Sequence, residues 1–80
     1  MKVSEVELGQ IFILDHTLSR PKLKLKEGFL DIVPNYVYVC WGNWSAEVLT
    51  EIQIYKLRQT WGMTEESFKK FKQALIRGHQ

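Results

Sequence analysis

Residues 49–78 read LTEIQIYKLRQTWGMTEESFKKFKQALIRG and contain two helical patterns separated by a glycine. In the first pattern, apolar side chains recur at i, i+3 and i+7, which puts on one helix face Ile54, Leu57 and Trp61. Ile52 and Tyr55 widen that face. The second pattern has the same spacing, at Phe68, Phe71 and Leu75. These residues predict a C-terminal pair of helices.

The ends of both helices carry recognisable signals. Thr50 and Gln53 have the spacing of a capping box, which predicts that the first helix begins after Thr50. Gly62 suits a helix stop, and Thr64 suits the next N-cap, followed by two glutamates that a helix N-terminus favours. Gly78 ends the second helix. Two alternatives stay open: residues 51–54 alternate and could extend a sheet, or the first helix begins earlier, with Ser45 as its cap.

The first half of the chain has strand-like segments divided by turn residues. These segments are residues 5–8 (through Val6 and Leu8), 11–14, 22–26, 29–33, 36–41 and 44–49. We therefore expect an α+β fold in one domain, residues 1–80. Residues 1–49 form a small antiparallel β-sheet or barrel of about five short strands, and residues 50–78 form the helical pair.

Two strand segments carry specific expectations. Lys22, Lys24 and Lys26 alternate with two leucines, so we expect the lysines to point to solvent. The Gly42-Asn43 pair is typical of a two-residue hairpin turn, which would join residues 36–41 to residues 44–49. Trp41 and Trp44 would then flank an exposed turn.

Composition narrows the function classes. Cys40 is the single cysteine, so no internal disulfide can form, and a reducing cytoplasm is the expected location. The histidines, His16 and His79, lie near no cysteine or acid cluster, and no glycine-rich phosphate loop is present. We therefore expect no catalytic residues, metal site, cofactor or small-molecule substrate. No apolar run reaches the roughly 20 residues of a membrane span, and we expect no membrane partner.

The helical pair resembles the helix-turn-helix family over residues 50–77. The resemblance is carried by apolar positions in the first helix, the turn glycine and buried positions in the second: Leu57, Trp61, Gly62, Met63, Phe68 and Phe71. In that family the second helix enters the DNA major groove. The resemblance implies contacts to DNA from Thr64, Ser67, Lys69, Lys70, Gln73 and Arg77, and Lys72 belongs to the same basic cluster.

The match has two departures. Arg58 stands where the family favours a small residue, and Glu65 and Glu66 occupy the helix tip that would meet phosphates. An ordinary αα-hairpin with lysines on its wet face accounts for the same residues. The best expectation is nevertheless a non-catalytic module that binds DNA through the basic face of the second helix.

Two other surfaces are candidates. Lys22, Lys24 and Lys26, with Arg20 beside them, could hold a single strand by charge, with stacking from nearby aromatic residues: Tyr36, Tyr38, Trp41 and Trp44. Alternatively, Trp41 and Trp44 could contact a protein, either as an adaptor or inhibitor or in a homodimer, since tryptophans dominate interface energetics.

Overall fold

The computed structural model describes residues 1–14, 20–32, 37–38 and 42–78. A short 3-10 helix, Val3–Glu5, precedes five strands: β1 (Ile11–Leu14), β2 (Lys22–Lys24), β3 (Phe29–Asp31), β4 (Val37–Tyr38) and β5 (Ala46–Val48). Two helices follow: α1 (Glu51–Trp61) and α2 (Glu65–Gly78). The strands pair antiparallel in the order β4-β3-β2-β1-β5. The predicted α+β arrangement, a five-stranded sheet followed by two helices, is confirmed.

The strand pairing of β5 differs from the prediction. β5 pairs with β1, with Phe12 opposite Val48 and Leu14 opposite Ala46, so it does not form a hairpin with β4. Residues 42–46 instead form hydrogen bonds with the N-terminal segment, residues 1–6. For example, the Val3 amide donates to the Trp44 carbonyl at 2.9 Å. The hairpin prediction was therefore wrong, because a Gly-Asn pair signals a local turn and not which strands meet. Trp41 lies outside the described residues.

Residues 5–8 are not a strand. Val3 and Val6 are three residues apart, and the 3-10 turn between them, with about three residues per turn, buries both side chains. Leu8, which the alternating pattern would bury, is exposed. Gly9 then takes a left-handed conformation, with φ of 86°, and turns the chain into β1.

The sheet is covered on both faces. On one face the buried apolar residues are Val3, Val6, Phe12, Leu14, Phe29 and Ala46. On the other face, towards the helices, they are Ile11, Leu23, Leu25, Leu30, Ile32 and Phe68. In β1 and β3, neighbouring residues such as Ile11 and Phe12 thus enter different clusters, as the pleat requires. The face that carries Lys22 and Asp31 is consequently interior as well.

Both helices begin, and α1 ends, where the local signals predict. The Thr50 hydroxyl accepts from the Gln53 amide, and the Gln53 side chain accepts from the Thr50 amide at 2.8 Å. This capping box excludes a sheet extension through residues 51–54 and a cap at Ser45. Gly62 has φ of 65°, and the next amide, of Met63, donates to the Arg58 carbonyl at 2.9 Å, which closes α1. Thr64 caps α2 by accepting from the Ser67 amide.

The helices pack on the sheet chiefly through α2. Phe68 is its fully buried residue, and the Trp61 ring lies 6.2 Å from the Phe68 ring, which joins the two helices. α1 has no fully buried residue. Ile52 and Tyr55 are 69% and 53% exposed, so the prediction that they widen its buried face was wrong. They lie on the side of the α1 cylinder away from Leu57, at 100° per residue. Within the described part of the chain, neither helix combines the length and the apolar composition that a membrane span requires.

Candidate nucleic-acid interface

The outward side of α2 groups four of the predicted site residues. Lys69, Lys70, Gln73 and Arg77 are all exposed and fall within roughly 100° around the helix axis, opposite Phe68. We call these four residues the outer face. Lys69 and Arg77 are about 12 Å apart along the axis at 1.5 Å per residue. An open depression of ≈ 830 Å³ lies where the outer face meets the start of α2. It is lined by Thr64, Glu65, Glu66, Lys69, Lys70 and Gln73.

Lys72 and Ser67 do not belong to this surface. The Lys72 ammonium lies 5.5 Å from the centre of the Phe68 ring and 3.5 Å from the Gly9 carbonyl oxygen, so it points towards the sheet. The Ser67 hydroxyl accepts from the Thr64 hydroxyl at 2.9 Å, which makes it part of the helix start. The predicted set is therefore divided into an outer face, a cap and an inward lysine.

Positive charge is concentrated on the helical pair. Residues 51–78 hold six basic and three acidic side chains, whereas the remainder of the chain holds five basic and six acidic. On the outer face, Lys70 lies 3.6 Å from Glu66 in an exposed i,i+4 pair. Within the described part of the chain, Lys69 and Arg77 have no carboxylate within 4.0 Å. Lys69 and Arg77 therefore offer positive charge that no close carboxylate of the described residues neutralises.

A groove of ≈ 530 Å³ runs between the two helices. It is lined from α1 by Glu51, Ile54, Tyr55 and Arg58, and from α2 by Glu65, Phe68, Lys69 and Lys72. The Arg58 guanidinium lies 5.4 Å from the centre of the Tyr55 ring, a cation–π distance. Arg58, the departure from the helix-turn-helix pattern, is thus accommodated in this groove. The sequence pattern does not indicate this groove, because it places Tyr55 on the buried face of α1.

The three lysines at positions 22, 24 and 26 have different environments. Lys22 is 5% exposed, and its ammonium lies 2.8 Å from the Asp31 carboxylate on the neighbouring strand, so the prediction that it faces solvent was wrong. Its face of the sheet is covered by the cluster that contains Phe12. Lys24 is half-buried and donates to the Leu25 carbonyl at 3.0 Å. Lys26 is exposed, as is Arg20.

Of the aromatic residues proposed for stacking, the structure describes Tyr38 and Trp44, which have different environments. Tyr38 is half-buried and stacks on Phe29 with ring centres 5.1 Å apart, so it belongs to the core. Trp44 is 37% exposed at the edge where the N-terminal segment pairs. Tyr36 and Trp41 fall outside the described residues. β2 and these rings do not form one continuous basic and aromatic surface in the described part of the chain.

Neither a metal-binding cluster in the described residues nor a similar known protein is found. In residues 1–14, 20–32, 37–38 and 42–78, no three His, Cys, Asp or Glu side chains are grouped so that they could hold a metal ion. No protein-family model, curated protein or solved structure matches this chain. The surface chemistry of the helical pair is therefore the basis for a functional proposal.

Proposed function

We propose that this chain is a non-catalytic DNA-binding module that holds the phosphate backbone against the outer face of α2. The observation that carries the proposal is the exposure of Lys69, Lys70 and Arg77 on one side of a well-anchored helix. Lysine and arginine bind phosphates by charge, and each phosphate contact releases counterions from the DNA. Gln73 lies among these cations, and an amide side chain can donate to and accept from an adenine edge.

The anchoring of α2 supports this role. Phe68 is buried under the helix, and Thr64 and Gly62 define where the two helices stop and start. A helix fixed in this way holds its exposed cations at defined spacings, which reduces the ordering cost of binding. Glu66 opposes binding, because its carboxylate lies close to Lys70 and repels a phosphate that approaches this lysine. The Lys70–Glu66 pair is exposed, and a pair of this kind contributes little to stability.

The test compares two variants with the same net charge. Lys69→Gln, Lys70→Gln and Arg77→Gln together remove the outer-face cations. The matched control removes three exposed lysines elsewhere, namely Lys2→Gln, Lys26→Gln and Lys56→Gln. Both variants lose three positive charges, so an effect of net charge alone would be equal in the two.

Binding to a fluorescein-labelled mixed-sequence DNA duplex is measured by anisotropy at several salt concentrations. Three phosphate contacts give a slope of log K against log salt of about −2.7. We expect the outer-face variant to lose this slope and most of the affinity, while the control keeps both. Absence of duplex binding by the unmodified protein at low salt, or equal losses in the two variants, contradicts the proposal.

A second candidate function is protein binding through Trp44. Its exposure of 37% beside the N-terminal segment is the observation that favours this role, because exposed tryptophans are frequent interface anchors. We expect a homodimer or adaptor contact of this kind to be lost in Trp44→Ala. Sedimentation of the unmodified protein as a monomer at high concentration argues against the homodimer.

A further inference from the structure

We infer that the groove between α1 and α2 receives one unstacked base of single-stranded DNA together with its phosphate. The inference rests on the proposed function and deepens it, because it names the form of DNA that the module prefers. It depends on an observation separate from the outer face: an exposed aromatic ring stands beside cations in a formed depression.

The groove has the two chemical components that a nucleotide requires. Tyr55 is 53% exposed although it lines the groove, and Arg58 lies over its ring. Aromatic rings and guanidinium planes are the surfaces on which unpaired bases stack. Arg58 and Lys69 supply the charge for a phosphate, and within the described residues neither of them has a carboxylate within 4.0 Å.

The acids of the groove limit what else it can hold. Glu51 and Glu65 are the first residues of α1 and α2, where the helix dipole favours carboxylates. Their charge opposes a dense run of phosphates, so the groove suits a single nucleotide better than a continuous backbone. Its volume of ≈ 530 Å³ lies within the range of small-ligand sites. A duplex keeps its bases stacked and has no free base to offer Tyr55.

Lys69 connects the groove to the outer face. It lines both the groove and the depression at the first turn of α2. A DNA strand whose phosphates lie along the outer face therefore passes Lys69 before one nucleotide enters the groove.

The experiment measures two labelled oligomers and one labelled duplex by anisotropy at low salt. The oligomers are an oligothymidine of twelve nucleotides and an abasic strand with the same number of phosphates. Tyr55→Ala should weaken oligothymidine binding roughly 5- to 100-fold, the effect of losing one base–aromatic stack. It should leave the abasic strand and the duplex unchanged. Tyr55→Phe retains the ring and should bind oligothymidine as the unmodified protein does.

Ile52→Ala is the matched control, since Ile52 is an exposed apolar residue one turn from Tyr55 and does not line the groove. Equal losses for oligothymidine and the abasic strand, or an equal loss in Ile52→Ala, overturn the stacking inference. If Tyr55→Ala has no effect while duplex binding depends on the outer face, the stacking inference is overturned and the proposed function stands. Failure of all three DNAs to bind the unmodified protein overturns both.

Discussion

Removing the ammonium of Lys22 should be among the most damaging single changes in this domain. Lys22 and Asp31 lie directly opposite on β2 and β3, with side chains that are each 7% exposed and charged atoms 2.8 Å apart. Within the described residues, the buried Asp31 Oδ1 has no hydrogen bond of good geometry. The close contact with the Lys22 ammonium therefore stabilises the charge of this carboxylate. Lys22 also donates to the Arg20 carbonyl at 2.9 Å.

The change Lys22→Met keeps most of the aliphatic stem and leaves the carboxylate buried without its partner. Breaking a buried ion pair on one side costs about 3–5 kcal/mol. The whole free energy of unfolding expected for 80 residues is roughly 4–12 kcal/mol. The single variant should therefore lose a large part of its stability and be partly unfolded at the low end of that range.

The double variant Lys22→Met/Asp31→Leu removes both charges, so no unpaired charge remains buried. Replacing both partners with apolar groups is often neutral or stabilising by about 1–4 kcal/mol. The double variant should thus be far more stable than Lys22→Met alone. Its net charge is unchanged, and we expect its DNA affinity to be unchanged as well, because Lys22 is not on the proposed surface.

The assay is urea unfolding followed by tryptophan fluorescence and far-ultraviolet circular dichroism, with the four proteins of a double-mutant cycle. Coincident transitions establish two-state behaviour, and the cycle gives the coupling free energy between Lys22 and Asp31. A cost below about 1 kcal/mol for Lys22→Met, with no coupling to Asp31, would show that the pair behaves like an exposed ion pair and would contradict this prediction.

Three further predictions concern the helical pair. Gly62→Ala should lower the free energy of unfolding by about 1–2 kcal/mol, because φ is 65° at this position. Gly78→Ala is the control in the same urea assay and should not destabilise the protein, because Gly78 is helical, has no left-handed φ and has open space around it. Phe68→Ala should cost about 3–5 kcal/mol by leaving a cavity under α2. Glu66→Gln should raise duplex affinity by removing a carboxylate beside Lys70, with no change in the urea midpoint; an unchanged anisotropy titration would show that phosphates do not approach this turn.

Local signals in the sequence were sufficient for the helices. The capping box at Thr50, the left-handed glycine at position 62 and the cap at Thr64 each depend on residues within one turn, and each appears in the structure as predicted. The five-stranded antiparallel sheet also followed from short alternating runs and turn residues. These features depend on backbone geometry that nearby side chains determine.

Features that depend on distant residues were not predictable in the same way. Burial of Lys22 requires the N-terminal segment to cover its face of the sheet, which the alternation within β2 does not reveal. The pairing of β5 with β1 likewise depends on which apolar faces meet. The candidate surfaces differ in the same way. The outer face could be predicted from helical spacing, whereas the groove depends on how α1 and α2 pack.

The most direct test of DNA binding by the outer face is a titration of the isotopically labelled protein with a mixed-sequence DNA duplex, followed by amide chemical shifts. We predict that the largest shift changes fall on α2 between Lys69 and Arg77, and that they diminish as salt rises. Shift changes centred on Trp44 or Lys26, or no changes at low salt, would contradict the claim that the outer face of α2 binds DNA.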